Sequence, residues 1–217
     1  MAFGVVITAA GSGTRYSNHK KKQYELLNGV PLLIHTCRQF GSISDITEKI
    51  ITSDDVEKTT SLLQSFNIES FRVVKGGETR FESVKNGVLA LSRVSQVLIH
   101  DAARPNISKA LIHRIMSCSG NVIPGLPITD TVKWVENNHV KKTMPREYLW
   151  SVQTPQKFDM KTIKRAYEIM VNPHSFTDEA GLIESINEPV QVIDGEVTNI
   201  KITTPDDLTT LERWLNI

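Results

Sequence analysis

Cysteine is nearly absent. Cys37 and Cys118 are the two in 217 residues, and neither belongs to a CxxC pair or a Cys/His ligand spacing. That argues against a disulfide framework and a thiolate metal site, and leaves reduced, buried thiols as the expectation. Charge of one sign is lacking too. With 25 basic and 24 acidic residues the net charge is +1, so no global field draws the chain to nucleic acid or an anionic membrane. An anionic ligand must then be held by a local basic cluster. No apolar run reaches bilayer-spanning length. Met1-Ala2-Phe3-Gly4 lacks the basic, apolar and cleavage segments of a secretory signal, so a cytoplasmic location is expected. The six histidines are scattered without ligand spacing. There is no GxSxG elbow, which removes support for Ser–His–Asp acyl transfer.

What is present is ordinary for a globular enzyme: 40% hydrophobic and 23% charged residues, at a length suited to one domain. No repeat, low-complexity tract or linker divides it. Phe3 to Ala9 reads as a strand buried on both faces. Pro31 to Phe40 follows as a helix, Ile46 to Thr52 as a strand and Asp54 to Phe66 as a helix. Phe71 to Val74 is a strand, Thr79 to Leu91 a helix, Val94 to His100 a strand, and Ser108 to Cys118 a helix with Ser108 as N-cap. Further on come a helix from Asp159 to Met170, strands near Val190 to Ile193 and Asn199 to Ile202, and a closing helix after Pro205. Alternation of this kind predicts an α/β fold, a Rossmann-like, mostly parallel sheet with helices on both faces. Ile128 to Met144 departs from it. Val132 and Trp134 alternate with polar residues around Asn137-Asn138, which predicts a projecting β-hairpin. A lone hairpin is marginal in water, so its apolar face should rest either on a second subunit or back on its own domain. The expected organisation is one domain over residues 1–217 with a β-arm at about 128–146.

Ligands of parallel sheets bind at the carboxyl ends of strands, and three informative segments fall there: Ala10 to Lys22, Gly76 to Arg80 and Asp101 to Pro105. Ala9-Ala10-Gly11-Ser12-Gly13-Thr14-Arg15 lets the backbone turn sharply and point amides at a ligand. It is neither a P-loop, which needs GxxxxGK and then Ser or Thr, nor a complete GxGxxG, because Tyr16 replaces the third glycine. Alone it is equally a structural turn. Arg15 and Lys22 bracket His19, Lys20 and Lys21, a basic loop that suits a triphosphate but also reads as a solvated lysine run. No aromatic platform supports an RNA patch. In His100-Asp101-Ala102-Ala103-Arg104-Pro105, an acidic group at the tip of a buried strand needs a cation or hydrogen-bond donors. Magnesium held by one carboxylate, water and substrate phosphates is one solution, and a strand-end cap is the other. Lys201, between apolar neighbours, is compatible with a lysine snorkelling from an edge strand.

Taken in order, AAGSGTRY, KQY, GGETRFESV, HDAARP, LPITDTVK, REYLWSVQTPQ, TDEA and NIKITTPDDL make the chain resemble the 2-C-methyl-D-erythritol 4-phosphate cytidylyltransferases of the non-mevalonate isoprenoid pathway. The resemblance runs from the first strand to the final helix. It implies a homodimer joined through the arm, Mg2+, and CTP with a polyol phosphate as substrates. It places Ala9, Ala10, Gly11 and Gly13 along the nucleotide, Gly77, Glu78 and Ser83 at the cytosine, and Asp101 and Ala102 at the ribose and the metal. Arg15, Lys22 and Lys201 become the catalytic cations. Arg104, Thr131, Arg146 and Thr154 become ligands of the acceptor, with Thr131 and Arg146 contributed by the arm of the neighbouring subunit. Two positions depart from the family pattern: Lys21 stands where proline usually precedes KQY, and Thr198 where an acidic residue often precedes NIK. The alternatives are a ribitol 5-phosphate cytidylyltransferase and a non-catalytic nucleotide-binding regulatory subunit. An NAD(P) oxidoreductase lacks both the third glycine and a well-spaced ribose acid, since Asp54 and Asp55 come too late.

Overall fold

The structure, a computed structural model, describes residues 2–11, 21–170 and 176–215. The chain enters as β1 (Phe3–Thr8), makes a short 3-10 turn at Lys22–Tyr24 and a small ribbon of β2 (Leu26–Leu27) and β3 (Val30–Pro31), then runs into α1 (Leu32–Gly41). Next come β4 (Ile46–Ser53), α2 (Val56–Ser65), β5 (Arg72–Lys75), α3 (Arg80–Ala90), β6 (Gln96–Asp101), α4 (Lys109–Ser117) and β7 (Asn121–Pro127). The arm is β8 (Lys133–Glu136) and β9 (His139–Thr143). It is followed by β10 (Trp150–Val152), β11 (Gln156–Asp159), α5 (Met160–Ile169), α6 (Glu179–Glu184), β12 (Val190–Asp194) and α7 (Pro205–Trp214).

Among the described residues eight strands form one sheet in the order β10-β7-β11-β6-β1-β4-β5, with β12 also on β7. β6, β1, β4 and β5 run parallel to one another, as β12 does to β7, whereas β11 and β10 are antiparallel additions. The mostly parallel sheet expected from the alternation is therefore present. The strand β1 is apolar up to Thr8 because both faces are covered. Val5 and Ile7 pack with residues of α1 and α4, while Val6 faces the opposite core with residues of α3 and α5. Helix starts follow local chemistry. The Ser108 hydroxyl accepts from Leu111 N–H at 3.0 Å, and Thr79 and Glu82 close a capping box at the head of α3.

The hairpin forms where the Asn-Asn signal put it. Asn137 and Asn138 have φ of 49° and 61°, the left-handed pair that a two-residue hairpin turn requires. Every residue of β8 and β9 is exposed, Trp134, Val135 and Val140 included. The arm therefore does not fold back on its own domain.

The structure corrects one strand and adds several elements. Asn199 to Ile202 is not a strand: it is an irregular segment tied by Ile202 N–H to the Ala103 carbonyl at 2.8 Å. Its apolar residue Ile202 packs with Leu27, Leu32 and Leu211, so hydrophobicity there reflects burial under α7 and not a ladder. β7, β10, β11 and α6 had no expectation attached. Asn121–Pro127 carries two prolines and a glycine, and Glu179–Glu184 is only six residues long, so neither shows a readable period.

Candidate active site

β1, β5 and β6 end on one edge of the sheet, and backbone hydrogen bonds draw the loops that follow them together. Ala9 N–H donates to Thr52 O at 2.9 Å, Gly76 N–H to Ser53 O at 2.8 Å and Ala102 N–H to Thr8 O at 3.2 Å. The loops touch. A Cβ on Gly76 would lie 2.5 Å from the Ala10 Cβ and 2.9 Å from the Ser83 hydroxyl, so only glycine permits this approach. Ala9, Ala10 and Gly11 are thereby set beside Gly76 and Gly77. Gly13 and Arg15 lie outside the described residues.

Under the Gly77 loop, the buried Ser83 hydroxyl accepts from Gly77 N–H at 3.0 Å and donates to Thr79 O at 2.8 Å. Its proton is spent shaping the loop, while the amide of Glu78 is capped by Glu82 at 2.8 Å. Lys22 opens the Lys22–Tyr24 turn. The buried Gln23 amide fastens that turn, donating to the Ala9 carbonyl at 2.6 Å. Lys21, the residue in place of proline, pairs with Asp54, and that contact raises its pKa. Its charge is thus engaged at the end of β4.

Asp101 stands at the tip of β6 with its side chain 9% exposed. Oδ2 meets the Lys201 ammonium at 2.6 Å, and Oδ1 lies 3.5 Å from the Arg80 guanidinium and 3.3 Å from the Thr8 hydroxyl. Burial opposes ionisation here, but the charges of Arg80 and Lys201 outweigh it and hold the carboxyl far below the usual carboxylate range. Arg80 also donates to Glu179 at 2.8 Å. Glu179 is buried and its other oxygen has no protein partner among the described residues. Burial pushes its pKa up in spite of Arg80. Arg80 and Glu179 were not singled out from the sequence. The signal was in GGETRFESV and TDEA, but 99 residues separate the pair, so only the fold joins them. Lys201 needs no acid at position 198: its partner is Asp101, and the exposed Thr198 offers its carbonyl to Asn106 at 3.2 Å.

His100, fully buried beside Asp101, has a determined tautomer. The Arg104 carbonyl, 3.1 Å from Nε2, can only accept, so Nε2 carries the proton. Nδ1 is then bare and takes the Thr154 hydroxyl proton at 3.0 Å, while the same hydroxyl accepts from Asp101 N–H at 3.1 Å. Burial lowers the imidazole pKa to about 4. The fold therefore keeps the ring neutral, whereas the unfolded chain takes up a proton below the ordinary value of about 6.5. Stability should fall as pH drops from about 6.5 to about 4, by roughly 3 kcal/mol from this group. Denaturant unfolding of the metal-free protein across that window, compared with His100→Gln, should show the variant losing most of this slope.

Arg104 is buried, donating to the carbonyls of Asn199 at 2.7 Å and Val152 at 3.3 Å, and its Nε is buried without a partner among the described residues. Burial lowers its pKa. Thr131 and Arg146 are exposed on either side of the arm, with Arg146 donating to the Thr129 carbonyl. Within the described residues no three His, Cys, Asp or Glu side chains could hold a metal by themselves. A single carboxylate is what a cation held largely by water and ligand phosphates needs, so Asp101 fits Mg2+ in that mode. Among the same residues no helix is long and apolar enough to cross a membrane.

A glycine-bearing loop, a basic turn and a buried carboxylate between two cations, all on the carboxyl edge of a mostly parallel sheet, define a nucleotidyltransferase-type α/β enzyme. The family model for 2-C-methyl-D-erythritol 4-phosphate cytidylyltransferase matches residues 3–216, and the chain belongs to that family. It is 39% identical to the enzyme of that name from Halalkalibacterium halodurans, over 96% of this chain and 94% of the relative. It is 37% identical to that from Syntrophus aciditrophicus, over 97% and 94%. Among solved structures, the 4-diphosphocytidyl-2C-methyl-D-erythritol synthase of Anaerococcus prevotii superposes with a TM-score of 0.85 at 30% identity, covering 100% of this chain and 96% of the other. The cytidylyltransferase of Francisella tularensis gives 0.82 at 31% identity, covering 99% of both.

Proposed function

We propose that this chain, as one nucleotidyltransferase domain over residues 1–217, transfers CMP from CTP to 2-C-methyl-D-erythritol 4-phosphate in the cytoplasm. The observation that carries the reading is Asp101 held ionised between Arg80 and Lys201 beside the Ala9–Gly11 and Gly76–Gly77 loops. A phosphate oxygen of the acceptor attacks the α-phosphorus of CTP. The new P–O bond forms as the bond to the bridging oxygen breaks, and pyrophosphate leaves with that electron pair. The phosphate monoester is already anionic near neutral pH, so no general base is needed. The task is to bring anions together and stabilise the charge that develops.

Ala9, Ala10, Gly11 and Gly13 line the nucleotide, and Gly77, Glu78 and Ser83 frame the cytosine, with Ser83 acting through the loop it supports. Asp101 and Ala102 face the ribose, and Asp101 would hold Mg2+. When bound, the metal offsets repulsion between phosphates. Arg15 and Lys22 contact the triphosphate, and Lys201 the α-phosphate or the incoming phosphate. Arg104 and Thr154 serve the acceptor together with Thr131 and Arg146 of the partner subunit, in a homodimer formed through the arm. Arg104, buried and donating to the Asn199 and Val152 carbonyls, must shift to bring a guanidinium nitrogen to the acceptor, and Thr154 must turn its hydroxyl proton away from His100 to reach a phosphate. Exposure of Trp134, Val135 and Val140 supports the dimer, and sedimentation as a monomer at micromolar concentration would remove it.

Pyrophosphate release should require CTP, methylerythritol phosphate and Mg2+ together, and should stop on chelation. Release with ribitol 5-phosphate instead would keep the mechanism and change the acceptor. Silence with every pair from folded protein would indicate a nucleotide-binding regulatory subunit.

A further inference from the structure

Lys201 meets Asp101 from a segment with no regular secondary structure, so its position has to be set by other contacts. Asn199, two residues earlier, is fully buried. Its Nδ2 donates to the Thr154 carbonyl at 2.9 Å and to Gln153 Oε1 at 3.3 Å. A carbonyl can only accept, so the orientation of this amide is determined. Gln153 grips the same segment further back. Its Oε1 accepts from Glu196 N–H at 3.1 Å and its Nε2 donates to Glu196 O at 2.8 Å, matching one residue's backbone with a side-chain amide. The fit is close, because a Cβ on Gly195 would stand 2.4 Å from Gln153 Oε1. On the other side of Lys201, Ile202 N–H donates to Ala103 O at 2.8 Å. Lys201 is thus bracketed before and after. Thr154 refers both charges to one residue: its carbonyl holds Asn199, and its hydroxyl holds the backbone of Asp101.

We propose that Asn199 and Gln153 are positioning residues that hold the Lys201 segment so that its ammonium meets Asp101 and the reacting phosphates. Neither contacts substrate; both act through Lys201. The proposal rests on the cytidylyl-transfer reading of Lys201. It follows that turnover, more than nucleotide affinity, depends on them, since a displacement of about 1 Å at a transition-state contact costs on the order of 100-fold.

The test is steady-state kinetics of the full-length enzyme with Asn199→Ala, Gln153→Ala, Lys201→Ala and the Asn199→Ala/Lys201→Ala double variant, with CTP affinity and Tm measured alongside. Asn199→Ala and Gln153→Ala should each lower kcat about 10–100-fold, with CTP affinity little changed. In the Lys201→Ala background, Asn199→Ala should cost less than about twofold more, because the contact it serves is already gone. An equal loss in both backgrounds, a loss confined to KM, or wild-type kcat would overturn the proposal. If Asn199→Ala fails to fold, Gln153→Ala combined with Lys201→Ala gives the same readout. A wild-type enzyme without cytidylyl transfer would sink the functional reading itself, which separates that failure from failure of the positioning role.

Discussion

Asp101→Asn is expected to lower kcat by about 100- to 1,000-fold, the loss typical of removing one preorganised electrostatic group from a reaction that develops charge. Asparagine keeps the shape and removes the charge that Arg80 and Lys201 both face. It also removes the carboxylate assigned to Mg2+. Arg80 retains Glu179 at 2.8 Å, and Lys201, whose side chain is 34% exposed, can turn to water. The stability loss should therefore stay below the roughly 3–5 kcal/mol of a broken, fully buried pair. The pH dependence has a definite sign. A carboxyl held below its unfolded pKa stabilises the fold above about pH 4, and that contribution is lost as the pH falls further. The amide of the variant does not titrate there, so its acid-unfolding curve should be flatter below about pH 4. Initial rates of pyrophosphate release at saturating CTP, with thermal melts from about pH 7 down to about pH 2 so that the unfolded pKa is crossed, check both points. Wild-type turnover would remove Asp101 from the reaction.

Lys22→Ala should cost turnover on a similar scale, roughly 3–4 kcal/mol in the transition state, with little change in Tm. The turn around it is anchored by its neighbours. Gln23 donates to the Ala9 carbonyl, and the Tyr24 hydroxyl shares a 2.8 Å hydrogen bond with Thr59. The backbone therefore stays in place when the ammonium is removed. Single-turnover rates with preformed CTP complex, beside a melting curve, separate the two quantities. Near-normal turnover would refute the assignment, and a Tm drop matching the rate loss would make the lysine structural.

The residues that could be read in advance share a property. β1 and β6 are short, largely apolar runs and β4 is rich in β-branched residues; each ends at a polar or glycine-bearing loop, and that pattern and punctuation are local. The same holds for Ser108 as a helix cap and for Asn137-Asn138 as a turn. Asn199 to Ile202 misled because alternation of polar and apolar residues resembles a ladder. The segment instead uses its backbone on Ala103 and Arg104, and buries Ile202 against Leu211. β11 was illegible for the opposite reason: Gln156 and Lys157 are polar but buried, the former beside Asp178 and the latter donating to the Cys118 carbonyl.

The sequence by itself determined the parallel layout, the three loops at one sheet edge, the arm and the family, because each is written in neighbouring residues or in ordered motifs. Only the tertiary structure decided which charges meet. Asp101, Arg80, Glu179 and Lys201 come together from four separate segments. His100 is kept neutral by burial, with its tautomer set by partners 4 and 54 residues away, and Asn199 is locked to the residue that also holds Asp101. Coulomb and hydrogen-bond energies depend on distances in space and on how much water is excluded, and neither is encoded in the spacing of residues along the chain.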